Sequence, residues 1–290
     1  MSKAIDEFYK CLHDGKRLAD STLKSYQRDI ESFSTFCGGN LLRVKPENIS
    51  DYVSVLYDEG KANSTVARTV SSLKSFYNFL FENGKIKVNP VAGLRAPKIG
   101  KKLPVILTAD EVTKLLSVPD DRGFKGLRDK AMLELLYATG IKVSELVSLN
   151  LSSINLKRRI LFCSSNNNVR VIPVGKEAIK ALKAYINDAR SLCTSNIRES
   201  ALFVNCSGTR MTRQGFWKII KKYKEIAGIE KEITPHMLRH SFAAHMVENG
   251  ADLVSMGELM GLSDSASTAI YQKVVENKIF EVYRKAHPRA

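Results

Sequence analysis

The chain of 290 residues has only five cysteines, Cys11, Cys37, Cys163, Cys193 and Cys206, an odd number with no CxxC pair among them. That argues against a disulfide framework or a thiolate zinc site and leaves reduced thiols as the expectation. Histidine is equally sparse. His236, His240 and His245 are the one local group, and no carboxylate or thiol stands near them at a metal-ligand spacing. No metal and no cofactor are expected. Long apolar runs are missing too: none approaches the roughly 18 residues of a membrane span. The segment from Met1 to Glu7 lacks the apolar stretch of a secretory leader. The chain therefore reads as cytoplasmic, without a membrane partner. Acidic residues are also in deficit, 30 against 45 basic ones, a net charge of +15. An excess of that size points to a polyanion, nucleic acid first and RNA or an anionic membrane surface after it.

The excess is uneven. Residues 1–97 carry 14 basic and 11 acidic side chains, net +3, and residues 98–290 carry 31 and 19, net +12. The first part reads as about four helices. Leu23, Tyr26, Ile30 and Phe33 follow Ser21 and Thr22 at helical spacing, and Ile49 to Leu56 form a short helix ending near Gly60. Asn63 or Ser64 can cap a long helix with Val66, Val70, Leu73, Phe76, Tyr77 and Leu80 on its packing face, which Gly84 stops. The stretch from Asn89 to Pro104 then brings three prolines, two glycines and four basic residues, a linker composition. The domains are therefore set at 1–97 and 107–290, with a basic linker at 98–106. A plain linker and a segment lying along a phosphate backbone fit it equally well.

The second domain opens on Thr108-Ala-Asp-Glu111, a capping-box pattern. A buried helix is expected at Gly126–Tyr137, broken at Thr139-Gly140, and a short one over Lys142–Ser148. Arg159–Cys163 and Val169–Val174 read as a hairpin with a polar tip at Ser164–Asn168. Helices are expected at 175–190, 212–227, 235–248, 252–260, 264–275 and near 277–286, with a strand at Ala201–Asn205 between them. The fold class is mainly α with a small antiparallel β-sheet.

Pro235-His236-Met-Leu-Arg239-His240 places His236, Arg239 and His240 at i, i+3 and i+4 on one helix face. A fixed guanidinium between two imidazoles suits a phosphate group, since arginine offers a fork matched to two oxygens. A solvated polar face is the competing reading. Tyr271, 32 residues after Arg239, is by itself an ordinary helical tyrosine.

Three segments in order change that picture. Tyr137-Ala-Thr-Gly-Ile-Lys142-Val-Ser-Glu145-Leu-Val-Ser-Leu149, then His236-Met-Leu-Arg239-His240 onward to Gly250-Ala-Asp, then Leu259-Met-Gly261-Leu262-Ser-Asp264 followed by Ile270-Tyr271 resemble the three signatures of tyrosine recombinases of the Xer and phage-integrase type. The helical first domain and the basic linker resemble that family as well. The resemblance implies a two-domain DNA clamp, with a helical core-binding domain and a mixed catalytic domain. It also implies a chemistry. A tyrosine hydroxyl attacks a scissile phosphate and forms a 3′-phosphotyrosyl bond, a 5′-hydroxyl leaves, and the reverse step rejoins strands without ATP or metal. Tyr271 would be the nucleophile, Arg239 the second arginine, His236 the histidine before it, and Glu145 and His240 supporting residues.

Three of the six expected active-site positions depart from the pattern. The first arginine is Lys142, which keeps charge but not the bidentate fork. The hairpin lysine falls near Ser165, and no lysine occurs between Lys157 and Lys176. The second histidine is Leu262, and no histidine occurs between His245 and His287. Losing one transition-state donor typically costs about 10²–10³ in rate, and losing a general acid about 10²–10⁴. The expectation is a recombinase with impaired catalysis. The alternative is a non-catalytic relative that occupies a recombination site or assists an active homologue, and a helical transcription regulator stands behind both. Arg170 or Lys142 is a candidate substitute acid. Candidate DNA contacts are Lys101, Lys102, Arg210, Arg213, Lys218, Lys221 and Lys222, each of which also fits a solvated face. In this family the amphipathic C-terminal segment from Lys278 joins protomers into a tetramer, and self-packing is the other reading. Double-stranded DNA, and hence the nucleoid, is the implied partner.

Overall fold

The computed structural model describes residues 3–15, 20–97, 104–120, 122–165, 168–193, 199–262 and 268–273. It divides into two units, Met1–Lys102 and Leu103–Ala290. Among the described residues no helix is long and apolar enough to cross a membrane.

The first unit is the expected helical bundle: α1 Lys3–Gly15, α2 Asp20–Phe36, α3 Pro46–Asp58 and α4 Asn63–Glu82. Its core takes Phe8, Ile30, Phe33, Ile49, Tyr52, Val70, Leu73, Phe76 and Leu80. The stripe read from the sequence is thus the packing face, since side chains at i, i+3 and i+4 share one side of a helix. Asn63 begins α4 rather than capping it, and the N-cap is Ala62 with no side-chain hydrogen bond. Asp29, buried on α2, pairs with Arg68 and accepts from Thr69 on α4, tying the two helices at a polar point.

In the second unit α5 is Ala109–Ser117, α6 Gly123–Thr139 and α7 Val143–Ser148. The predicted capping box closes: the Glu111 N–H donates to Thr108 Oγ1 at 3.1 Å, and the Thr108 N–H to Glu111 Oε2 at 2.7 Å. A three-stranded antiparallel sheet follows, with β1 Ile154–Asn155, β2 Ile160–Ser165 and β3 Asn168–Pro173 in the order β1-β2-β3. The strand β1 has no counterpart in the sequence pattern, because two residues carry no readable alternation. The hairpin runs further than expected, since Ser165 pairs with Asn168.

The helix read over 175–190 is α8, Lys176–Ala184, continued by a π-helical stretch Tyr185–Arg190 and a short α9 at Ser191–Cys193. The strand expected at Ala201–Asn205 is instead two isolated bridges, Asn150 to Ala201 and Val204 to Arg210. Then come α10 Arg213–Ile226, α11 Pro235–Glu248 and α12 Leu253–Met260, and residues 268–273 are helical. Met132, Leu133, Leu136, Leu146, Leu161, Phe203, Phe216 and Leu238 form one large core. A second cluster joins Phe242, Ala243, Met256 and Met260 to Tyr271. The expected helix near 277–286 lies outside the described residues.

Candidate active site

Three chain segments bring the predicted residues together. Pro235 opens α11 behind the N-cap Thr234, whose Oγ1 accepts from the Met237 N–H at 3.2 Å. Inside α11, the Ser241 hydroxyl donates to the Met237 carbonyl and accepts from the Leu107 N–H, both at 2.8 Å. The helix is therefore fixed against the start of its own domain. It presents Arg239 inward, 5% exposed, while His236 stays exposed and His240 is half-buried.

Arg239 is held from two sides. One terminal nitrogen donates to the Gly140 carbonyl and the other to the Met260 carbonyl at 2.8 Å. Gly140 ends α6 in the left-handed conformation, φ +58°, and an added Cβ would lie 2.2 Å from the Phe242 ring. Glycine is therefore required there twice, for its backbone angle and for the close approach of α11. Burial lowers the Arg239 pKa, and the Glu145 and Tyr271 charges work against that shift.

Tyr271 is 3% exposed and its hydroxyl lies 2.7 Å from His240 Nδ1. Burial raises its pKa, with the Arg239 guanidinium pulling the other way. Burial first, then the neighbouring His236 and Arg239, holds the His240 imidazole below the ordinary histidine range. Leu262, at the position of the expected histidine, packs into the same apolar cluster as Tyr271. It offers contact area where a hydrogen-bond donor was expected.

The first-arginine position behaves differently from its neighbours. Lys142 is exposed at the N-cap of α7, and its backbone N–H donates to Glu145 Oε2 at 2.7 Å. The other oxygen of Glu145 accepts from Arg170 Nη2 on β3 at 3.0 Å. Arg170 also lies 3.6 Å from Cys163 Sγ, and its Nε is buried with no hydrogen-bond partner among the described residues. A Cβ on Gly261 would fall 1.9 Å from Arg170 Nη1. Two guanidinium groups, Arg170 and Arg239, thus meet the C-terminal end of α12, where the helix dipole favours cations. Burial pushes the Cys163 thiol up to about 11, so it is a protonated wall residue.

Arg170 carried a signal in the sequence that only strand alternation could decode. Val169 and Val171 are 63% and 55% exposed, while Ile172 is buried. Residues two apart share a face, so Arg170 stands with Ile172 on the inner side. Ser165 lies on β2 opposite Asn168. The third histidine of the α11 run is structural, with His245 Nδ1 2.9 Å from the Tyr137 hydroxyl.

Among the proposed DNA contacts, Arg213, Lys218, Lys221 and Lys222 are exposed on α10. Beside them Trp217 is 43% exposed, with the Lys221 ammonium 4.3 Å from its ring centroid. Arg210 is differently employed. Its guanidinium donates to the carbonyls of Val147 and Leu149, each at 3.0 Å, and to Asn150 Oδ1 at 2.5 Å. It holds the turn after α7 and is not counted with the free cations. Lys101 and Lys102 lie outside the described residues.

The phage integrase family model matches residues 106–278, and the model of the phage integrase N-terminal SAM-like domain matches residues 5–84. The chain is 42% identical over 294 residues to the tyrosine recombinase XerD of Oceanobacillus iheyensis, with 99% of each chain covered. It is 40% identical over 297 residues to XerD of Listeria monocytogenes serovar 1/2a, with both chains fully covered. In fold it is similar to the XerH site-specific recombinase bound to difH, with TM-score 0.76, 18% identity, and 96% of this chain and 83% of that one covered. It is also similar to the Tn1549 transposon integrase in complex with circular intermediate DNA, with TM-score 0.75, 20% identity, and 93% and 95% covered. With two family models in series and full-length relatives at 42% and 40% identity, the chain belongs to the phage integrase family of tyrosine recombinases.

Proposed function

We propose that the protein binds a duplex DNA site and cleaves and rejoins its strands through a 3′-phosphotyrosyl bond to Tyr271, with the cleavage step slowed by Lys142, Ser165 and Leu262. The observation that carries this reading is the meeting of Tyr271, His240 and Arg239 in one place from distant parts of the chain. A chain that kept only a DNA-binding role has no need to hold a buried tyrosine hydroxyl 2.7 Å from an imidazole. Membership of the family supports the reaction class.

In this reading a scissile phosphate is neutralised by Arg239, which the backbone carbonyls of Gly140 and Met260 orient. Lys142, exposed at the mouth of α7, adds charge without the bidentate fork. The bond energy stays in the phosphotyrosyl ester, so rejoining needs no external energy source. The exposed cations of α10 and the linker lysines hold the phosphate backbone, each domain contacts the duplex, and protomers assemble into a tetramer through the C-terminal segment. The competing reading is a site occupant without cleavage. It is favoured by the way Leu262 fills its position with packing.

The DNA-binding part is tested by the salt dependence of affinity for a duplex that the protein selects from a random pool. With Arg213, Lys218, Lys221, Lys222 and the two linker lysines on phosphates, log K is expected to fall with log salt at a slope of roughly −5 to −6 per protomer. Reversing Lys218 and Lys221 to glutamate is expected to flatten that slope. A slope near zero contradicts a phosphate-dominated interface.

A further inference from the structure

We propose that a groove on the second unit, between the sheet and the helices α11 and α12, is a docking site for an acidic amphipathic helix of a partner protein. The groove has a volume of about 430 Å³, within the range of roughly 300–1,000 Å³ that ligand pockets span. Ile160 and Ile172 from the sheet, Val174 just beyond it, Phe242 and Met246 on α11 and Leu259 on α12 form its apolar walls. Arg158 and Arg159 line it as well, and both are exposed. No carboxylate lines it among the described residues. An apolar trough with guanidinium groups and no acid is complementary to apolar anchors flanked by carboxylates.

The turn between β1 and β2 fixes the backbone of both arginines. The Arg158 N–H donates to Asn155 Oδ1 at 2.9 Å, and the Arg159 carbonyl accepts from the Val174 N–H at 2.9 Å. Arg159 has φ +56°, and it is the one non-glycine residue with positive φ among the described residues. Glycine or asparagine takes that conformation at lower cost. An arginine kept there at that cost points to a use for its side chain.

Two other occupants fit less well. Residues 274–290 of a second copy carry four basic and two acidic side chains, so their net charge repeats that of the arginines instead of opposing it. Duplex DNA could engage the arginines through its phosphates, but phosphate contacts need no apolar trough. The groove also shares its walls with the supports of Arg239. Phe242 closes on Gly140 and Leu259 precedes Met260, and the carbonyls of Gly140 and Met260 hold Arg239. A partner seated in the groove therefore lies against the segments that orient Arg239. The inference does not depend on strand cleavage by Tyr271.

The probe is a fluorescein-labelled helical peptide with leucine at i, i+3, i+4 and i+7 and glutamate elsewhere. Its binding to the full chain is measured by anisotropy while the Met246 methyl signal is followed by NMR. The peptide is expected to bind and to shift that signal, and its counterpart with lysine for glutamate to do neither. Arg158→Glu and Arg159→Gly are each expected to weaken binding about tenfold or more, with the affinity for a selected DNA duplex unchanged. Arg159→Gly, relieved of its backbone cost, is expected to unfold at the same or a higher denaturant concentration than wild type, which separates lost binding from lost fold. Unchanged binding in both variants, or an unshifted Met246 signal, would overturn the proposal. Tighter binding of a peptide of residues 274–290 at Met246 would overturn it in favour of an interface between copies. A loss of DNA affinity in the variants as large as the loss of peptide would overturn it by making the arginines DNA contacts.

Discussion

Replacing Glu145 by alanine is expected to destabilise the second domain by about 3–5 kcal/mol, the usual result of removing one partner of a buried ion pair. The side chains of Arg170 and Glu145 are 14% and 6% exposed, so water screens the pair little. Without the carboxylate, Arg170 keeps a buried charge whose Nε has no partner among the described residues, and the Lys142 N–H at the head of α7 loses its acceptor. Chemical denaturation checks this: the midpoint is expected to fall without a change of slope. A double variant, Glu145→Ala with Arg170→Met, is expected to recover much of the loss, because the uncompensated charge leaves with the arginine. A single-variant loss below about 1 kcal/mol would place the pair in the class of solvated surface bridges.

Arg239 is the second site of large effect. Arg239→Ala is expected to lower the rate of covalent-complex formation by at least about 10²–10³-fold, the scale for one transition-state donor. It also leaves the Gly140 and Met260 carbonyls without their shown donor, which costs stability of about 1–3 kcal/mol for each group. Arg239→Lys separates the two effects. It keeps a charge near phosphate but loses the fork, so the rate is expected to fall about as far while DNA affinity changes only a few-fold. A rate within about threefold of wild type in Arg239→Lys would mean that charge alone suffices. The lysine at 142 would then cost the proposed cleavage little.

How far the sequence could be read depended on whether a local pattern carried the information. Thr108 and Glu111 are three apart, and their reciprocal cap is local chemistry. The helical stripe of α4 is equally local, and its members fill the core. Gly140 was readable as a helix stop, but its contact with Phe242 was not, because that approach depends on how α6 and α11 pack. The bridge pattern at Ala201 and Val204 looked like a strand because its residues are apolar, whereas pairing partners decide strand formation.

Cations were the least legible residues. Arg210, Arg213 and Arg170 look alike in a sequence, yet one caps carbonyls, one faces solvent, and one is folded into the site against Glu145. The active-site line-up itself was legible only through three ordered motifs. Helical periodicity put His236, Arg239 and His240 on one face, but nothing local brought Tyr271 to His240, or showed Arg170 beside the C-terminal end of α12. The departures at Lys142 and Leu262 gained physical content only from their surroundings: one is solvent-exposed, and the other is part of an apolar cluster.

The most direct measurement is the fate of a nicked duplex, selected by this protein and incubated with wild type and with Tyr271→Phe, then denatured in detergent and digested for peptide mass analysis. The expected result is a complex that accumulates slowly with wild type, carries the 3′ nucleotide remnant on the peptide containing Tyr271, forms faster in Lys142→Arg, and is absent in Tyr271→Phe. A complex that survives Tyr271→Phe, or no complex with wild type at any pH, would contradict Tyr271 as the residue that makes the bond.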